Sequence, residues 1–129
     1  MNEVVDFKES LNYDQHYDER FDCEYTSIDE AINKVLIFTG SKDVETENGI
    51  RTLISYGEGS NRSAFFTSSK KLQEVVNNPG TVFPFRAIIK VVEYGVNTGF
   101  AFRNPQSKIT DKDVEVFERY KRNKYRRNR

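Results

Sequence analysis

The dipeptide Asn48-Gly49 constrains this chain more than any other pair of residues. It stands between two β-prone runs, VLIFTGSKDVETE and IRTLISY. Asn-Gly in that position is a strong hairpin signal, because a type I′ turn needs φ > 0 at both central residues. The chain is thereby committed to a long antiparallel hairpin. Gly40 interrupts the first run. A glycine inside a strand marks a bulge or a sharp coil, which a small closed barrel needs.

Turn signals organise the rest of the chain. GEGSN makes a looser turn, and RSAFFT reads as a third strand. The period then changes: Leu72, Val75 and Val76 fall at helical spacing, Ser68 or Ser69 can cap, and Asn77-Asn78-Pro79-Gly80 stops the helix Ser69–Asn77. TVFPFRAIIKVVEY is a long strand with Phe85, Ala87, Ile89 and Val91 on one face and Arg86, Ile88, Lys90 and Val92 on the other. GVNT turns the chain with help from Gly99, and GFAFRNP is a fifth strand ended by Pro105. Thr110-Asp111-Lys112-Asp113 is a capping-box pattern that opens a final helix. Val114, Phe117 and Tyr120 form its narrow apolar stripe, and Glu115–Arg119 and Glu118–Arg122 are i,i+4 pairs.

Three meandering strands, a helix and a hairpin are the order of the OB-fold. The expected class is therefore mostly β: a five-stranded Greek-key barrel with a helix between strands 3 and 4 and a C-terminal basic helix. A ferredoxin-like order fails because nothing helical separates the first two strands, and an SH3-like barrel has no place for the helix Ser69–Asn77. The divisions are an acidic N-terminal arm (1–26), the OB-fold domain (27–106) and a basic helix and tail (107–129).

Charge separates the two ends. Formal net charge is zero over 129 residues, yet Met1–Glu30 carries −8, Ala31–Phe117 carries +2 and Glu118–Arg129 carries +6. Such polarity suggests ends that interact with something. A single cysteine, Cys23, excludes an internal disulfide framework and fits a reducing compartment. No apolar run approaches the roughly 20 residues that span a bilayer, and the acidic N-terminus lacks the order of a secretory signal. The expectation is a soluble cytoplasmic protein with no membrane partner.

The words DEAINKVLIFTGSK, NGIRTLISYG and SAFFTSSKKLQEVV resemble the small OB-fold single-stranded DNA-binding proteins of phages and Gram-positive conjugative elements. In that family a short DEA helix leads into the first strand, a glycine-turned second strand comes next, and an FFTSSK-L unit joins the third strand to the helix. The resemblance runs from Ser27 to Phe102. It implies cooperative or stoichiometric coating of single strands, without sequence preference, in replication, recombination or transfer, in a bacterial host cell. It also implies no cofactor, with replication or transfer proteins and further copies of the chain as candidate protein partners. Two features depart from the pattern. The acidic segment is N-terminal where many relatives carry an acidic C-terminal tail, and there is no tryptophan.

Single strands are held by a basic groove with aromatic side chains on which bases stack. The candidates on the strands are Lys42, Arg51, Tyr56, Arg62, Phe65, Arg86, Lys90, Tyr94 and Arg103. The final helix adds Arg119, Lys121, Arg122, Lys124, Arg126 and Arg127. Alternation sends one of Phe65 and Phe66 inward, so at most one is a platform, and Phe100 and Phe102 share a face expected to be core. A lone Arg or Lys on a strand usually marks a solvated face, so only the set carries information. His16 and Cys23 lack a third group for catalysis, and the carboxylates Asp14, Asp18, Glu19, Asp22 and Glu24 read as solvated rather than metal-binding. No P-loop, GxGxxG or HExxH occurs, and no enzyme is expected. The acidic, aromatic arm imitates a nucleic-acid strand and is expected to compete for its own groove or a neighbour's, to be a disordered solvating arm, or to pack on the barrel as an extra edge element. A short helix from Ile28, capped by Ser27-Ile28-Asp29-Glu30, separates it from the barrel. The alternatives are an RNA-binding OB protein and a protein-interaction adaptor in a phage or mobile-element complex.

Overall fold

A computed structural model describes residues 23–127. Strand β1 (Glu24–Tyr25) is followed by a 3-10 turn at Ile28–Ala31, β2 (Val35–Thr46), β3 (Gly49–Tyr56), a second 3-10 turn at Gly59–Asn61 and β4 (Ser63–Thr67). Helix α1 (Lys70–Val76), β5 (Phe85–Tyr94), β6 (Asn97–Arg103) and helix α2 (Asp111–Arg127) follow in the described residues. The protein is mostly β. The six strands of the described residues form one sheet in the order β1-β4-β3-β2-β5-β6.

The meander β2–β3–β4 is antiparallel, and β5 returns beside β2 before pairing with β6. Six strands are present where five were expected, and β4 and β6 share no ladder among the described residues, so the sheet is open. The additional strand is β1, which runs parallel to β4 with Glu24 beside Ser63 and Tyr25 beside Ala64. Of the acidic arm, Met1–Asp22 lies outside the described residues, and its last part is this edge element.

The hairpin β2–β3 forms, with a different turn from the expected one. Thr46 pairs with Gly49, which places Glu47 and Asn48 at the centre. Only Gly49 of these residues takes positive φ, at 99°. Thr46 Oγ1 donates to Gly49 O at 2.7 Å and accepts from Asn48 N at 3.2 Å, which fastens the loop from within. The register shifts between Phe38 and Gly40, a β-bulge where the interrupting glycine predicted one.

Other boundaries move for local reasons. β5 begins at Phe85 rather than Thr81, since Pro84 has no N–H to donate to a ladder. The β5–β6 turn is only Gly95-Val96, with Gly95 at φ 64°, so Gly99 lies inside β6. A Cβ on Gly99 would stand 3.1 Å from Tyr94 Cε2, which explains a residue without a side chain there. Helix α1 is capped by Ser69, whose Oγ accepts from Leu72 N. The Ser27 segment makes a single 3-10 turn in which Ser27 Oγ accepts from Asp29 N, and Glu30 does not complete a capping box.

The core gathers Phe38, Ile54, Phe65, Leu72 and Ile89 from four strands and α1, with Phe85, Phe100 and Phe102 packed against it. Rings dominate: Phe38 meets Phe85 at 5.5 Å and Phe102 at 5.1 Å between centroids. A second, smaller cluster of Val44, Leu53 and Ala64 lies on the opposite face of β2–β4, with Cys23 and Phe66 against it. Helix α2 docks on the main core through Val116, Phe117 and Tyr120. Val114, expected in that stripe, is 47% exposed.

Candidate nucleic-acid interface

Alternation on the meander sorts its side chains into two faces. Ile54 pairs with Phe65 and points to the core, while Leu53 pairs with Phe66 and with Lys42 on the outer face. Arg51, two residues before Leu53, shares that outer face. Its guanidinium stands 5.5 Å from the Phe66 ring centroid, and Tyr25 meets the same ring edge-on at 5.8 Å. The outer face of β3–β4 is therefore built of a cation and two rings over a small apolar cluster.

Helix α2 forms the opposite wall. Tyr120 packs edge-on against Phe100 at 5.4 Å, and Lys124 Nζ bonds Asp29 Oδ2 at 3.2 Å, fixing the helix to the Ile28–Ala31 turn. Burial and the nearby Asp29 carboxylate push the Tyr120 phenol above its ordinary value. Burial opposes the Lys124 charge, but the bond to Asp29 prevails and raises its pKa. Between the two walls runs an open groove of about 460 Å³, lined by Arg51, Phe66, Ser69, Phe100, Tyr120 and Lys124. Cations, aromatic rings and hydroxyls thus face one channel.

Further hydrogen bonds hold α2 in place and cap it. Lys90 Nζ reaches Asp113 Oδ2 at 2.8 Å and Lys108 O at 2.7 Å. Arg119 forks onto Glu93, with Nε to Oε2 at 3.0 Å and Nη2 to Oε1 at 3.2 Å, and this bond raises the Arg119 pKa. Thr110 and Asp113 form the reciprocal cap that their spacing predicted, at 2.9 and 3.1 Å. The expected i,i+4 pairs are displaced: Arg119 takes Glu93, and Glu118 pairs with Lys121 at 3.0 Å.

The structure divides the sequence candidates. Arg51 and Lys124 line the groove, and Lys42 is exposed on the same face as Arg51. Arg62 approaches Ser55 Oγ at 3.4 Å from the end of β4. Tyr56 and Phe65 belong to the core instead, at 8% and 1% exposure, because their positions pair with inward-facing residues of the neighbouring strands. The Tyr56 hydroxyl is bonded to Thr26 Oγ1 at 3.1 Å. Lys90 is committed to α2 rather than to the groove. Arg86 and Arg103 are exposed on the β5–β6 side and do not line the channel. Tyr94 is exposed, with the Lys71 ammonium 5.4 Å from its ring. Arg119 and Lys121 are ion-paired, Arg122 and Arg126 are exposed, and Arg127 ends α2. Phe66, Phe100 and Tyr120 were not among the candidates. The signal for Phe66 lay in register, which the sequence leaves open between it and Phe65.

Cys23 is half-buried against the outer-face cluster, and His16 lies outside the described residues. Among the described residues no three His, Cys, Asp or Glu side chains are grouped to hold a metal, and no helix is long and apolar enough to cross a membrane. Residues 22–103 match a family described as a domain of unknown function, DUF8468. No curated protein and no solved structure matches the chain.

Proposed function

The chain belongs to the DUF8468 family, and from its own groove we propose that it binds single-stranded nucleic acid, coating DNA in replication, recombination or transfer of a phage or mobile element. The observation that carries this reading is the channel between β3–β4 and α2, where Arg51 and Lys124 stand among Phe66, Phe100 and Tyr120. Rings accept unstacked bases of any sequence, at roughly 1–3 kcal/mol per base, and the Arg51 guanidinium beside them meets the phosphates, while Lys124 fastens the α2 wall to Asp29. A duplex keeps its bases stacked inside and cannot use the rings. The connectivity supports an OB-like barrel left open at one seam: a three-stranded meander, a helix, then a hairpin whose first strand returns beside the first strand of the meander. The choice of DNA over RNA comes from the resemblance of the sequence words to phage and conjugative-element proteins.

Fluorescence anisotropy with labelled single-stranded DNA, single-stranded RNA and duplex DNA tests the proposal. The single strands bind, DNA at least as well as RNA, with affinity that falls as salt rises; duplex binds weakly. Equal affinity for duplex, or no binding at low salt, removes the reading. A protein-interaction adaptor is the second reading, and one observation favours it: Lys90, Arg119, Lys121 and Lys124 are all paired with carboxylates of the chain itself.

A further inference from the structure

A second groove, of about 600 Å³, lies on the other side of Tyr120. Its walls are the tip of the β5–β6 hairpin, with Val96, Asn97 and Thr98, and the last turns of α2, with Asn123 and Arg126. The walls are held together from below. Glu93 and Thr98 are cross-strand partners in the hairpin, and Glu93 receives the fork of Arg119, one helical turn before Asn123. The groove therefore exists without a ligand to organise it.

Its chemistry differs from that of the first groove. Asn97 and Asn123 are exposed, and neither carboxamide bonds another described side chain. Each offers an acceptor and two donors, the complement of a base edge. Arg126 is exposed and has no ion pair among the described residues. Val96, at the hairpin tip, is 99% exposed, an apolar side chain with almost no protein contact. Tyr120 lines both grooves, so a strand leaving Phe66 and Lys124 passes its ring before it meets the amides. The volume falls in the range of small-ligand sites.

We propose that this second groove holds one unpaired nucleotide, with its base edge on Asn97 and Asn123 and its phosphate on Arg126, and that it gives the protein a preference among bases. This rests on the single-strand reading above and adds selectivity to it. An asparagine carboxamide matches the N6/N7 edge of adenine, so adenine is the favoured base.

The test compares dA, dC and dT homo-oligonucleotides of one length by anisotropy, using the full chain. The wild type binds dA about tenfold or more tighter than dT, the discrimination expected of one bidentate amide. The double variant Asn97→Ala/Asn123→Ala, with an unchanged melting temperature, brings the three affinities together. Arg126→Gln weakens all three by the same factor. A wild type that binds the three equally overturns the base-reading groove and leaves single-strand binding standing. A preference that persists in the double asparagine variant also overturns it. A wild type that binds none of them overturns both readings.

Discussion

Phe65 and Phe66 are adjacent and chemically identical, and the strand pleat gives them opposite fates. Phe65 is 1% exposed in the main core, while Phe66 is half-buried on the outer face beneath the Arg51 guanidinium. Phe65→Ala therefore costs about 3–5 kcal/mol of stability through the cavity it leaves, and the fraction that remains folded binds single strands normally. Phe66→Ala has the opposite signature: a loss of roughly 1–3 kcal/mol in single-strand affinity with a smaller change in melting temperature. Thermal melts and binding isotherms on the two variants decide between these fates. Normal binding by a folded Phe66→Ala protein removes this face from the interface. The alternation was legible in the sequence, but its phase was not. Phase is set by which residue of β3 lies opposite, and Ile54 and Leu53 are equally apolar. Tyr56 shows the same limit: it is among the groove candidates in the sequence, yet it lies 8% exposed in the core, where Thr26 Oγ1 partners its hydroxyl.

Elements with local signals were legible, and those made by distant partners were not. Turn residues placed β2 to β6 in order, and the stop at Asn77 ended α1 where expected. β1 carries no period in two residues and exists only because β4 offers its edge. The position of α2 could not be read either, since its fasteners lie far away in sequence, although its cap could. At that cap Asp113 Oδ2 accepts from Thr110 N and from Lys90 Nζ. Burial alone would raise the Asp113 pKa, but the bonds from Lys90 and Thr110 together hold it below the ordinary 3.8. A carboxyl with a depressed folded-state pKa gives stability that is complete above the unfolded value and disappears as pH falls through the folded one. Stability should thus decline below about pH 4, and Asp113→Asn should remove this part of the acid sensitivity. At neutral pH the same variant should lose roughly 1–2 kcal/mol, the worth of a cap. Melting curves from pH 2 to 7 check both, and an unchanged acid limb in the variant assigns that limb to other carboxylates.

On the scale of the whole molecule, a neutral protein has distributed its basic end into two kinds of charge. Lys124 and Arg119 turn toward Asp29 and Glu93 and act as fasteners between α2 and the rest of the fold. Arg122 and Arg126 are exposed and without an ion pair among the described residues. The sequence showed seven cations in the last eleven residues but not this division, because the pairing carboxylates sit as far as 95 positions away. Cutting off Arg119–Arg129 would therefore confuse binding with folding, since it also removes Tyr120 from Phe100. Neutralising only the outward pair separates the two effects. Each cation that meets a phosphate on a single strand contributes about 0.7 to the slope of log K against log[salt]. Arg122→Gln/Arg126→Gln should then flatten that slope by about 1.4, with the melting temperature unchanged. Lys124→Gln should instead lower the melting temperature, because it leaves the largely buried Asp29 carboxylate without its ammonium. Titrations at four or more salt concentrations, paired with melts, read both numbers. If the double arginine variant keeps the wild-type slope, these charges meet no phosphate. The basic end is then a solvated surface, and recognition of the strand rests on the groove between β3–β4 and α2 alone.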